Sequence, residues 1–286
     1  MATLRDIRRR ITSVRNTRQI TSAMKMVSAA KLNRASNMVK AAQPYSATLR
    51  RMVSGLHAGM AGEDHPLFTP RSAGKSVVIL FTSDRGLCGN FNNNLSRFLL
   101  RQLQETDGLP DPDLIVFGRK GNDFFKRRGY PISQAKMFLQ PSEYRSQIMD
   151  ITSGVVERYQ AGEIRHVHLA YNYFHSPIRQ EPVFQQLLPV PPLEGEASEA
   201  ETREMLFEPA REQILDHLLP AFLRNQTYVA HLNTEAGEHG ARMVAMEGAT
   251  KNAGEMINRL TLTYNRARQA AITKELIEIV NAAQAM

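Results

Sequence analysis

The sequence predicts two long helices, one toward each end of the chain, paired as an antiparallel coiled coil, with an α/β domain between them. Three observations carry this. From Met246 the core-type positions run Met246, Thr250, Ala253, Ile257, Leu260, Tyr264, Ala267 and Ala271. Their gaps alternate four and three, which marks a coiled-coil seam rather than one face of a globular helix. The first 58 residues carry a second run of the same kind, and the residues between alternate strand-like and helix-like patterns.

The N-terminal helix (1–58) opens with Leu4, Ile7, Ile11 and Val14 on one stripe. Ala35, Met38, Ala42, Tyr45, Leu49, Met52 and Leu56 repeat it further on. Between them Arg18, Thr21, Lys25 and Ser28 stand where the register wants apolar groups. Ile20, Met24 and Val27 form a short seam there on a shifted phase, which predicts a local change in winding. Pro44 is expected to kink the helix or end a turn of it. Residues 55–75 read as a loop, with Gly55, Gly59, Gly62, Pro66 and Pro70 as breakers.

The central domain (74–192) begins with Ser76–Phe81, a buried strand. Asn93–Glu105 reads as a helix, Asp113–Phe117 as a strand, Gly121–Arg128 as a helix and Ile132–Phe138 as a weaker strand. A helix follows from about Arg145 to Gln160, then strands at His166–Phe174 and Val183–Leu188. Strands alternating with helices predict a largely parallel, Rossmann-like sheet. Residues 193–208 form an acidic linker. The C-terminal helix (209–286) takes Pro209 in its first turn, is kinked at Pro220, and is loosened by Gly237 and Gly240. No Gly or Pro follows Gly254, and at 1.5 Å per residue the stretch 241–286 is a rod of roughly 69 Å. Such a rod needs a partner, and the N-terminal seam supplies it. Ala253, Ala267 and Ala271 let the two axes approach closely.

Composition narrows the function. At 286 residues the chain holds one large domain or two modest ones. Its longest aliphatic or aromatic run, Val77–Phe81, is far short of a membrane span. Cys88 is the single cysteine, so no intrachain disulfide forms and a reducing compartment fits. Residues 1–60 hold twelve Lys or Arg against Asp6 alone, a charge of +11 in a chain of net +8. A basic arm of this kind binds nucleic acid, targets a mitochondrion or faces an acidic protein. The heptad stripe outlasts a presequence. No aromatic interleaves the charges before Tyr45, which weakens the nucleic-acid reading, the alternative of a basic nucleic-acid-binding coiled coil.

Several motifs fail on inspection. Gly74-Lys75-Ser76 resembles the end of a phosphate-binding loop, but Thr69 stands where the first glycine belongs and a strand follows instead of a helix. Gly86–Gly89 and Gly118–Gly121 read as tight strand-to-helix turns. His166 and His168 share a strand face without a third ligand at a supporting spacing. Cys88 reads as a packed thiol. No acid, base and nucleophile converge, so the α/β domain reads as a scaffold without catalytic, metal or cofactor residues.

Four segments then carry a family resemblance: 10–32 (RITSVRNTRQITSAMKMVSAAKL), 82–92 (TSDRGLCGNFN), 241–250 (ARMVAMEGAT) and 264–280 (YNRARQAAITKELIEIV). Together, and in order along the chain, they resemble the γ subunit of F-type ATP synthases, of bacterial type. The resemblance implies a rotor shaft that turns inside the ring of α and β subunits. Its foot would join the ε subunit and the membrane ring of c subunits, coupling proton flow to ATP synthesis on β. It implies no nucleotide, cofactor or nucleic-acid partner and no catalytic role for this chain. Membrane association would be indirect, through the c ring, at the cytoplasmic face of the inner membrane. The cysteine pair of the chloroplast version is lacking, so thiol regulation is not expected.

Carried onto this sequence, the resemblance makes Arg242, Arg268, Gln269 and Thr273 contacts to β-subunit loops, and puts Met24 and Lys25 near an acidic β loop. Leu206–Pro209, with Phe207 and Glu208, resembles the foot that meets the c ring and ε. The seam itself is Ile7, Ile11, Val14, Ile257, Leu260 and Tyr264. Glu247 stands where the family usually has Lys, and Gly240 where it usually has Ala. The first is expected to change the charge near the β contact, the second to loosen the helix. The stripe Ile272, Leu276, Ile279 and Ala283, with Ile277, Val280 and Ala282 outside it, predicts a tip enclosed by protein.

Overall fold

In the computed structural model, which describes residues 3–58, 65–105, 109, 112–191 and 211–284, the central strand β1 (Lys75–Phe81) buries every residue after Lys75. A parallel strand covered on both faces must do so. β1 pairs in parallel with β2 (Asp113–Phe117) on one side and β4 (Ile164–Phe174) on the other. β3 (Ile132–Lys136) extends the parallel ladder beyond β2. β5 (Gln180–Leu188) closes the far edge antiparallel to β4. The order is β3-β2-β1-β4-β5, the largely parallel sheet the sequence predicts.

Helices cover both faces. α1 (Leu4–Ala58), α2 (Phe91–Glu105), α3 (Arg119–Lys126), α4 (Pro141–Gln160) and α5 (Arg211–Gln284) follow in chain order around the strands. Alternation along β1 sends Val77, Ile79 and Phe81 into one core. They meet Leu49, Val53 and Leu56 of α1, Ile148, Val155 and Tyr159 of α4, and Leu215, Leu219 and Leu223 of α5. Val78 and Leu80 point the other way, against Leu95 and Leu99 of α2 and Phe124 and Phe125 of α3. α4 begins at Pro141, ahead of its expected start. The Gln140 backbone N–H donates to Glu143 Oε2 at 2.7 Å and the Glu143 N–H to the Gln140 carbonyl at 2.9 Å, which closes the first turn.

The described residues divide into two units. Ala30–Ala241 contain the sheet, and the residues up to Ala29 pair with those from Arg242 onward. α1 and α5 therefore each contribute to both.

Four expectations change. The register of α1 is not shifted: Thr21 and Ser28 are buried, whereas Ile20 and Val27 are 60 % and 57 % exposed. The seam keeps a seven-residue repeat, and its hydroxyls bond within the helix, Thr21 Oγ1 to the Arg18 carbonyl at 3.1 Å and Ser28 Oγ to the Met24 carbonyl at 2.8 Å. In 35–56 the buried large or apolar positions are Ala35, Val39, Leu49, Val53 and Leu56, with Ser54 buried beside them, while Met38, Tyr45 and Met52 lie outside. The shared anchors are right, but the intervening gap is four residues rather than three. Ser46, a polar member of that stripe, donates to Asn225 Oδ1 at 2.6 Å. α1 also runs on through the exposed Pro44 to Ala58, so neither Pro44 nor Gly55 ends it. Finally, Gly237 and Gly240 do not interrupt α5. A Cβ at Gly240 would stand 3.0 Å from Pro177 Cα, and one at Gly237 would stand 2.9 Å from the Phe91 ring. These glycines admit close neighbours rather than loosen the helix. Pro209, Phe207, Glu208 and the acidic linker 193–208 lie outside the described residues.

Candidate functional site

The surface that the sequence singles out is built on the helical pair. α1 starts with a reciprocal cap. The Thr3 N–H and Oγ1 donate to Asp6 Oδ2 at 3.1 and 2.7 Å, and the Asp6 N–H returns to Thr3 Oγ1 at 3.3 Å. These bonds hold the Asp6 carboxyl below its ordinary range, with Arg10 adding to the effect. One turn on, Ile7 and Ile11 meet Ile257, with Val14, Leu260, Tyr264 and Ala267 packed around them. The six seam residues expected from the sequence thus form one cluster.

Further along, the seam turns polar. Thr250 Oγ1 donates to Thr21 Oγ1 at 2.8 Å, and Lys25 Nζ lies 2.6 Å from Glu247 Oε1. Residue numbers fall on α5 as they rise on α1, so the helices run antiparallel. By the same stepping, α5 from about Ile272 onward outruns the start of α1.

The Lys25–Glu247 pair alters one expectation. Glu247 does not simply change the local charge; it neutralises Lys25, the residue expected to face an acidic loop. Both side chains remain well exposed, at 39 % and 58 %, so the pair is open to exchange with another carboxylate. The signal for it was Glu247 itself, an acid three turns before the apolar seam, with Lys25 at the matching antiparallel position.

The other residues separate into two groups. Arg268, Gln269 and Thr273 are exposed on α5, with Thr273 Oγ1 bonded back to the Gln269 carbonyl at 2.9 Å. Met24 is half-buried. Arg242, expected on an outer surface, is 8 % exposed and is engaged within the chain. Ile272, Leu276, Ile277, Ile279 and Val280 are all exposed large apolar side chains on the last turns of α5. Arg8, Arg9, Arg10, Arg15 and Arg18 line the exposed side of α1 and make no ion pair among the described residues.

In the sheet domain, the turns at the carboxyl ends of β1 and β2 are filled by the chain's own groups. Thr82 Oγ1 donates to the Phe117 carbonyl at 3.1 Å and accepts the Gly121 N–H at 2.9 Å. Gly118 has φ 97°, and a Cβ there would lie 2.2 Å from the Thr82 carbonyl oxygen, so the Gly118–Gly121 turn serves packing. Ser83 and Asn92 exchange hydrogen bonds, and Asn92 Nδ2 approaches the buried Cys88 Sγ at 3.2 Å. His168 stacks on Phe184 at 4.5 Å and 4°, and burial pulls its pKa down to about 4. It serves the core as a neutral aromatic ring.

The comparisons agree with this geometry. Residues 3–286 match the profile of a family described as ATP synthase. The ATP synthase gamma chain of Pelotomaculum thermopropionicum is 46% identical over 286 residues, spanning 100% of both chains. That of Desulforamulus reducens is 44% identical over 286 residues, again spanning both. Among solved structures, a central-stalk chain of the Tetrahymena thermophila mitochondrial ATP synthase superposes with a TM-score of 0.59 at 25% identity, covering 80% of this chain and 99% of that one. A rotor chain of the Euglena gracilis mitochondrial ATP synthase gives 0.63 at 20% identity, covering 94% and 98%, a likeness of fold.

Proposed function

The chain belongs to the ATP synthase γ-chain family, and from that premise we propose that it is the central rotor shaft of a proton-translocating F-type ATP synthase. One observation carries the reading: the helical pair has a thin seam and, outside it, a long apolar and basic surface that the described chain leaves uncovered. In this reading residues 1–58 and 209–286 make the shaft, 74–192 the α/β domain and 193–208 a linker.

The shaft turns within the ring of α and β subunits. Apolar contact is nondirectional, so the exposed Ile272, Leu276, Ile279 and Val280 suit a bearing in which few fixed hydrogen bonds must break. Arg268, Gln269 and Thr273 meet β-subunit loops, where a guanidinium fork matches a carboxylate. Met24 and Lys25 meet an acidic loop, whose carboxylate competes with Glu247 for the ammonium. Arg242, being buried, steadies the helix behind these contacts. Phe207 and Glu208 belong to the foot that joins ε and the c ring.

Catalysis stays on the β subunits, and this chain is the non-catalytic member that transmits torque. It sits peripherally at the cytoplasmic face of a bacterial inner membrane, held through the c ring. No described helix is long and apolar enough to cross a membrane.

The test is a reversible crosslink. Because Cys88 is buried, Gln269→Cys offers the accessible thiol, to be joined to a cysteine on β in the assembled complex. ATP-driven rotation should stop and return on reduction. Rotation that continues through a verified crosslink would overturn torque transmission at this level.

A further inference from the structure

A concavity of about 580 Å³ opens between α2 and α3, lined by Asn93, Arg97, Phe124, Arg127 and Arg128. It belongs to the sheet domain and does not depend on the rotor reading. Asn93 and Arg97 stand one turn apart on the first turns of α2, and Arg101 continues their face. Arg127 caps the C-terminus of α3 and Arg128 follows it.

The arginines are not equivalent. Arg128 is committed, with its guanidinium carbon 3.6 Å from the centre of the Phe124 ring and its Nη1 donating to the Phe124 carbonyl at 2.9 Å. Arg97 and Arg127 are exposed and have no partner among the described residues. Asp123, one turn before Arg127, makes no ion pair with it. Lys126 adds a further cation, and the other described acid of these two helices, Glu105, sits at the far end of α2. Asn93 lies in the first turn of α2, at the positive end of its peptide dipole, while the C-terminal turn of α3 brings a negative end to the other wall, so the arginines carry the attraction for an anion.

We propose that this arginine-lined concavity binds the phosphate chain of a polyphosphate, either a free inorganic one or the tail of a nucleotide. Two uncommitted guanidinium forks provide bidentate donors for neighbouring phosphates, and Asn93 supplies an amide donor beside them. The volume falls within the range of small-ligand sites. One face of the Phe124 ring is already covered by Arg128, and the residue is buried. It offers no platform for a base, so recognition rests on the phosphates.

Calorimetric titration of the full chain with sodium tripolyphosphate at low salt tests this. Saturable binding at one site is expected, weakening with added salt. Arg97→Ala and Arg127→Ala should each weaken it about tenfold, the loss of one hydrogen-bonded charge. Arg259→Ala, an exposed arginine of the helical pair, should leave it unchanged. With recognition resting on the phosphates, ATP should bind about as tightly as tripolyphosphate; markedly tighter binding of ATP would mean that the base is read and would overturn the phosphate-only site. Absence of saturable binding, equal weakening by Arg259→Ala, or binding of ATP without tripolyphosphate would each overturn the site. Both pocket arginines are exposed, so unchanged thermal midpoints certify the variants. If one fails to fold, the other carries the same test.

Discussion

In the sheet domain, β1 alone buries six consecutive residues, and the two cores on its faces draw on every helix. The helical pair buries Ile7, Ile11, Met246, Ala253 and Ile257 among its described apolar residues, and leaves Ile20, Met26, Val27, Leu262 and the tip of α5 exposed. Burial of apolar area is the main source of folding free energy. The first unit therefore has what it needs to fold by its own packing. The second presents apolar and basic surface that suits enclosure by another protein. A densely packed domain and an under-covered helical pair are the division of labour that suits a rotor subunit.

The contrast can be broken most severely at Gly118. Gly118→Ala places a methyl group 2.2 Å from the Thr82 carbonyl oxygen at a φ of 97°. A loss of more than about 4 kcal/mol, read by urea unfolding, is expected; a small loss would mean that the β2–α3 turn is adaptable. Next, Leu80→Ala removes a fully buried side chain from the α2–α3 core. It should cost about 3 kcal/mol.

Acid should weaken the sheet domain selectively. Burial pulls the pKa of His231 down to about 4, where its ring stacks on Tyr144 at 4.4 Å, and His168 is pulled down to the same level. The unfolded chain binds these protons near pH 6.5 and the folded one near 4, so stability is full above 6.5 and falls as pH drops toward 4. Glu235 is shifted up by burial and by Glu238. It acts oppositely, its stabilising contribution being lost as pH rises above its unfolded value. His231→Asn should flatten the decline by on the order of 2 kcal/mol, seen as a smaller change in the urea midpoint between pH 6.5 and 4.5. An unchanged slope would mean that His231 titrates normally.

The helical pair should respond more mildly. Ile257→Ala leaves a gap in a small cluster in which Ile257 itself is 9 % exposed and should cost about 1–2 kcal/mol, less than Leu80→Ala. Equal losses would erase the contrast between the two units. Smallest is the Lys25–Glu247 pair. With both side chains well exposed, a double-mutant cycle should give less than about 1 kcal/mol, shrinking with salt.

Much of this was legible in sequence because it is periodic. The seam from Met246 to Ala271 and the stripe Ile7, Ile11 and Val14 read directly, as did β1, whose uninterrupted Val77–Phe81 run fits burial on both faces. Polar members of the seam were harder. Thr21, Ser28 and Ser46 hid the repeat, and the apolar Ile20, Val27, Met38 and Tyr45 offered a false one. Hydrophobicity alone cannot tell an exposed apolar stripe from a buried one when both follow the same spacing. Glu247 lies far from Lys25 in the chain, as Arg97 does from Arg127 and Arg128, so no local pattern joins them.

By itself, then, the sequence determined the two heptad runs, the alternation of strands and helices, and the concentration of basic charge near the N-terminus. Each follows from the spacing or type of neighbouring residues. The tertiary structure decided which side of α1 faces inward, that Glu247 neutralises Lys25, that Arg242 is enclosed while Arg268 and Gln269 remain outside, and that Gly240 serves close packing against Pro177. Those outcomes depend on what stands opposite each residue, and packing complementarity between distant segments has no local code.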